Sequence, residues 1–226
     1  MKNRSPLRNL LAAGMLAALS AAAASAMAAE QAVHVRGVIT EVSAGGFTVQ
    51  TAAGAETISL AADTRITGVV PSSIDAIQPG SFIGSANLTN GTHARAQEVV
   101  VFPPAMKGSG LGDYPWDLPA HAGGMTAMTG GTVKSSKMGG GSMMHSAMTN
   151  GTVKTAIGSG SRSIVVDYGK GEKTIEVMSN TPVVTFMPSD KSAIVKGAHV
   201  FVAGKPGTPV AAATVAVGLD GTVPPM

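Results

Sequence analysis

The side chains best suited to chemistry in this 226-residue chain are methionines and histidines gathered in one stretch. Met125, Met128, Met143, Met144, His145 and Met148 lie close together, with His121 just before them. Thioether sulfur is a soft donor that selects Cu(I), and imidazole joins it readily. Met144, His145 and Met148 would supply three donors from one loop, so Cu(I) or Ag(I) binding is one expectation. The competing reading is an inert spacer. The segment carries a tandem duplication, Ala127-Met128-Thr129-Gly130-Gly131-Thr132-Val133-Lys134 recurring as Ala147-Met148-Thr149-Asn150-Gly151-Thr152-Val153-Lys154. Duplication multiplies methionines whether or not they bind anything.

Other reactive groups are sparse. The chain has no cysteine, which removes thiol nucleophiles, Cys-ligated zinc and iron–sulfur clusters. There is no Gly-x-Ser-x-Gly elbow and no P-loop. Asp113 and Asp117 flank Trp116 and form a carboxylate pair of the kind used in acid–base work. Their Pro/Gly-rich surroundings favour solvated loop carboxylates instead. His34 shares a strand face with Arg36 and is expected to face solvent. His93 is expected in an exposed turn, and His199 at a half-buried strand position. No catalytic residue and no bound cofactor is assigned.

The elements that must position these groups come from an internal repeat. One copy spans residues 33–102 and the other 151–218. Gly37-Val38-Ile39 aligns with Gly151-Thr152-Val153, Phe47-Thr48-Val49 with Ile164-Val165-Val166, Ile58 with Ile175, and Ile83 with Val200. Within each copy apolar and polar residues alternate with the period of half-buried strands, and turn-forming glycines punctuate them. Three strands, one short helical turn and two more strands follow the order of an OB-like barrel. The expected fold is all-β: two tandem OB-like small β-barrel domains, residues 30–103 and 149–226. Residues 104–148 are expected to form a Pro/Gly-rich bridge followed by a Met-rich low-complexity spacer, partly disordered. The bridge carries Tyr114 and Trp116, which an ordinary linker would lack, and both are expected to pack against the barrels.

The first 29 residues have the grammar of a secretory signal peptide. Lys2, Arg4 and Arg8 precede an apolar run from Leu10, and Ala26-Met27-Ala28 fits a cleavage site. The run is shorter than the roughly 20 residues of a membrane span, and no later segment reaches that length. Of 16 Lys and Arg against 13 Asp and Glu, three basic residues and no acid fall in the leader. The remainder is balanced, 13 against 13. Such a surface builds no electrostatic footprint for nucleic acid or for an anionic membrane. The expected location is periplasmic or secreted.

These features resemble an uncharacterised bacterial family of exported OB-like β domains, domain-of-unknown-function family 5666. The repeat carries the likeness. So do Phe102-Pro103-Pro104-Ala105-Met106-Lys107-Gly108, Pro115-Trp116-Asp117-Leu118, Thr181-Pro182-Val183-Val184 and the tail Gly218-Leu219-Asp220-Gly221. Some members carry a metal-transporter permease label, which a chain without a transmembrane bundle does not fit. The resemblance implies fold and export but no activity. The expected function is a non-enzymatic binding or envelope-associated module with an unidentified ligand or envelope protein as partner; the alternative is soft-metal binding through the spacer.

Overall fold

The computed structural model describes residues 32–89, 93–117, 135–137 and 143–225. Among them the fold is all-β, with single 3-10 turns and no α-helix. The first repeat supplies β1 (Val33–Ser43), β2 (Gly46–Thr51), β3 (Gly54–Pro71), β4 (Phe82–Thr89) and β5 (His93–Val101). The bridge and spacer contribute β6 (Gly112–Pro115) and β7 (Ser135–Lys137). The second repeat supplies β8 (Met143–Ile157), β9 (Arg162–Asp167), β10 (Glu172–Val177), β11 (Val183–Pro188), β12 (His199–Lys205) and β13 (Val210–Gly218).

The ladders close a five-stranded mixed barrel, but not within one repeat. β1 pairs with β2, β2 with β3, β3 in parallel with β13, β13 with β12, and β12 back with β1. The first three strands come from the first repeat and the last two from the second. The reciprocal circuit joins β8, β9, β10, β5 and β4 in the same cyclic order, again with one parallel pair, β10 with β5. The expectation that each repeat closes on itself is therefore corrected: the two repeats exchange their last two strands.

The cores record the same exchange. One cluster packs Val35, Ile39, Phe47, Val49 and Ile58 of the first repeat against Ile194, Val200, Val202, Val210, Val215 and Val217 of the second. The other packs Ile77, Ile83, Ala94, Ala96 and Val99 against Val153, Ile164, Val166, Ile175 and Val177. The physical cause lies in β3. This strand bulges at residues 61–64, where Leu60 faces Ala212 and Arg65 already faces Thr214, and then runs on in the same direction to Pro71 instead of turning back. At about 3.3 Å per residue, the stretch from Arg65 to Pro71 carries the chain roughly 20 Å onward, into the other circuit. There the chain makes a 3-10 turn at Ile74–Ala76 and enters β4.

A pseudo-twofold relation organises the whole. β3 and β11 pair antiparallel, with Val69 opposite Phe186. These two residues are themselves equivalent in the repeat, as are Ile58 and Ile175. Val70 opposite Thr185 is mirrored by Met187 opposite Gly68. Around this pair a smaller cluster of Val69, Val100, Val184 and Ala216, with Phe102, Phe186 and Phe201 against it, joins the two circuits. The equivalence of Gly37 and Gly151 holds in detail. A Cβ on Gly37 would strike the Gln50 carbonyl, and one on Gly151 the Asp167 carbonyl, so the bent first strand requires glycine in both copies.

Candidate functional site: the bridge clamp

The bridge is described from residue 103 to residue 117. Pro104–Met106 forms a 3-10 turn, and Gly108, Gly110 and Gly112 all adopt positive φ, which lets the chain double back where other residues would be strained. It then enters β6, which adds to the edge of β8 with Asp113 opposite Thr149 and Tyr114 opposite Met148.

Barrel two holds β6 through its interior. Lys173, with a side chain only 4% exposed, donates to Asp113 Oδ1 at 2.6 Å and Oδ2 at 2.7 Å. The Thr149 hydroxyl donates to Asp113 Oδ1 at 2.7 Å, and Asn87 Nδ2 donates to Thr149 Oγ1 at 3.0 Å. The result is a continuous polar chain, Asn87 to Thr149 to Asp113 to Lys173, buried except at Asp113. On the outer face Asn150 Nδ2 donates to the Gly110 carbonyl and to the Tyr114 hydroxyl, each at 3.0 Å. Burial pushes the Tyr114 phenol up, and the Asn150 bond only partly offsets it.

Barrel one holds the end of the bridge. Trp116 lies 4.4 Å from the His34 ring, centroid to centroid, and packs beside Phe201 and Tyr114. The Ser146 hydroxyl donates to the Trp116 carbonyl at 2.6 Å. Asp117 accepts from His34 Nδ1 at 2.8 Å and from both terminal nitrogens of Arg36 at 3.0 and 3.1 Å. Burial raises the Asp117 carboxyl, but the hydrogen bonds and charges of His34 and Arg36 outweigh it and hold the group well below the usual carboxylate range. The Arg36 guanidinium also sits 5.1 Å from the Phe201 ring centroid, a cation–π contact.

Two expectations change here. Asp113 and Asp117 keep part of their solvent contact, with side chains 25% and 40% exposed, but neither is an unpaired loop carboxylate; each anchors the bridge to a different barrel. His34 does share a face with Arg36, but the bridge covers that face. Tyr114 and Trp116 pack as expected, Trp116 against strands of both circuits. The chemistry available to the His34–Asp117 pair is limited. A carboxylate that orients an imidazole is one part of a catalytic triad. Here Arg36 binds the same carboxylate in bidentate fashion, and the imidazole stacks on Trp116 and Phe201.

Of the expected soft-metal donors, the described side chains are those of His145 and Met148. Met148 is 3% exposed and packs with Ala86, Leu88, Tyr114 and Trp116. His145 is exposed in β8, opposite Thr89 on one side and Ser135 on the other. Strand alternation points side chains three apart to opposite faces, so His145 and Met148 do not converge. Met143 and Met144 open β8. Met125, Met128 and His121 lie outside the described residues. Among the described residues no three His, Asp or Glu side chains gather as metal ligands.

Several residues of the clamp escaped sequence reasoning: Lys173, Asn87, Thr149 and Asn150. One of them carried a signal. Lys173 shares its alternation with Ile175 and Val177, so a strand that buries those two must also bury the lysine. The polar lining is peculiar to barrel two. The positions equivalent to Ser85, Asn87, Thr149 and Lys173 are Val202, Gly204, Val35 and Glu56, as the matching registers show. No family model, curated protein or solved structure matches the chain, so the family resemblance stays a reading of the sequence.

Proposed function

We propose that the chain is an exported, non-enzymatic binding module built on two OB-like barrels that share their strands. Each circuit has the strand order one–two–three–five–four, with strands three and five parallel, which is the order of an OB-like barrel. The observation that carries the reading is the fate of the bridge's acid–base groups. Asp113, Asp117, His34, Arg36 and Lys173 are closed upon one another in ion pairs, where they brace the scaffold. A catalytic site needs such groups aimed at a substrate position. The leader-like first residues support export, and the absence of net charge from the rest of the chain disfavours nucleic acid.

Native mass spectrometry of the protein taken from the exported fraction tests this. The expected result is a mass increment that denaturation releases. A bare protein that turns over a substrate, with turnover lost in His34→Gln or Asp117→Asn while folding is retained, would replace the binding reading with an enzymatic one.

A further inference from the structure

The pseudo-twofold relation makes one difference between the barrels informative. In barrel two, residues 147–150 of β8 pair with β4 on one side and with β6 on the other. Their equivalents in barrel one are residues 33–36 of β1. The equivalence is fixed by register: Val33, His34, Val35 and Arg36 face Gly204, Ala203, Val202 and Phe201, as Ala147, Met148, Thr149 and Asn150 face Asn87, Ala86, Ser85 and Gly84. β2 joins β1 only from Val38 onward. Residues 33–36 therefore have β12 on one side and, among the described residues, no strand on the other. Nor, among the described residues, does any backbone hydrogen bond outside the ladders involve them.

An unpaired strand edge is a template for another chain. Proteins that recognise extended peptides use such edges: backbone bonds supply affinity, and alternate side chains supply specificity. Here the molecule displays the bound form in its own second barrel, because β6 is an added strand. We propose that the edge formed by residues 33–36 binds an extended segment of another polypeptide, in the way β8 binds β6, and that the segment carries a basic residue opposite Val35. The proposal deepens the binding-module reading and rests on it.

The preference for a basic residue follows from charge. Opposite Thr149, β6 places Asp113, which reaches Lys173. The residue equivalent to Lys173 is Glu56, since Glu56 faces Val49 as Lys173 faces Val166. Glu56 is exposed and makes no ion pair among the described residues. The sign at the mouth is thus inverted, and a Lys or Arg on the incoming strand would meet a carboxylate. Val33 and Val35, inward on this edge, offer an apolar floor where barrel two has Ala147 and Thr149.

The test uses the full-length protein and two synthetic peptides with the sequence of residues 110–117, one unchanged and one with Lys in place of Asp at the position of Asp113. Amide hydrogen exchange on β1 and fluorescence anisotropy of labelled peptide are the readouts. The Lys peptide should slow exchange at the His34 and Arg36 amides, which point away from β12, and bind roughly five- to tenfold more tightly than the Asp peptide, the range expected for replacing an exposed like-charge contact by an opposite one. Glu56→Lys, a surface change, should reverse the order. Three results would each overturn the proposal. One is exchange at the His34 and Arg36 amides, which point away from β12, that is already slow without peptide. Another is no binding of either peptide, and the third is a preference that ignores Glu56→Lys. A native-mass increment that persists when neither peptide binds would leave the binding module standing and remove only this edge.

Discussion

Cutting the spacer separates exchanged barrels from tandem ones. A specific protease site placed between Gly130 and Gly131 would yield one fragment with β1 to β6 and another with β7 to β13. In the exchanged fold neither fragment can close a barrel. The first lacks the apolar face of Val200, Val202, Val215 and Val217, and the second lacks Ile83, Ala96 and Val99. Folding then becomes bimolecular. A short Gly-rich connection is expected from its composition to hold its ends at an effective concentration of about 1 mM. At about 1 µM fragments, three powers of ten are lost, which is about 4 kcal/mol of apparent stability. The fragments should still co-elute under native conditions, because both cores are shared. Each tenfold dilution should then cost about 1.4 kcal/mol and lower the Tm by about 3–6 °C for a body of this size. Gel filtration and a dilution series of thermal melts are the assays. Two folded fragments whose melting does not depend on concentration would refute the exchange.

Three further outcomes follow from the clamp. Asp113→Ala leaves Lys173 buried without its counter-ion and should cost about 3 kcal/mol by urea unfolding; Lys173→Met added to it should recover part of that loss, and strict additivity would break the argument. Asp117 is held below its ordinary range, so its contribution is complete above the unfolded carboxylate value of about 3.9 and is lost as pH falls below that, toward the folded value; Asp117→Asn should flatten the fall in stability below about pH 4, and an unchanged acid limb would show the clamp to be inert. Met148→Ala should cost about 3 kcal/mol as a buried truncation, His145→Ala less than about 0.5 kcal/mol, and neither should change the stoichiometry in a reduced-copper titration. Loss of stoichiometry without loss of stability would return Met148 to a ligand set.

Much of the architecture was readable from residue pattern. The same alternation is carried by Phe47 and Val49 in one repeat and by Ile164 and Val166 in the other, and these strands lie where their period-two spacing predicts. The glycine bend of the first strand is visible in Gly37 and Gly151. The exchange was not readable, for a physical reason. In the structure Ile83 faces Gly151 and Val200 faces Gly37. Each partner is a glycine followed by β-formers, so β4 and β12 could exchange partners without changing any apolar contact class. Register in a half-buried strand is set by which face is apolar, and that information is identical for closure within a repeat and between repeats. The deciding feature is that β3, after its bulge at residues 61–64, runs on along β13 instead of folding back, and it resides in backbone geometry that no single residue type announces.

The site was legible only in part, because its residues act across long separations. Trp116 and Tyr114 stood out as aromatics in a Pro/Gly stretch, but their partners are His34, Phe201 and Met148, from both repeats. The two carboxylates looked like loop residues because the sequence around them is rich in Pro and Gly. What engages them is the asymmetry between barrels. A duplicated body with pseudo-twofold order has two equivalent strand edges but a single bridge to fill them. The bridge fills the edge at β8, and barrel two has Thr149 and Lys173 where barrel one keeps Val35 and Glu56. Had the polar lining served the fold alone, the apolar barrel with the same registers would need one too, and it does not. The lining is thus matched to an incoming strand, and the different lining of barrel one is the physical ground for expecting a different strand there.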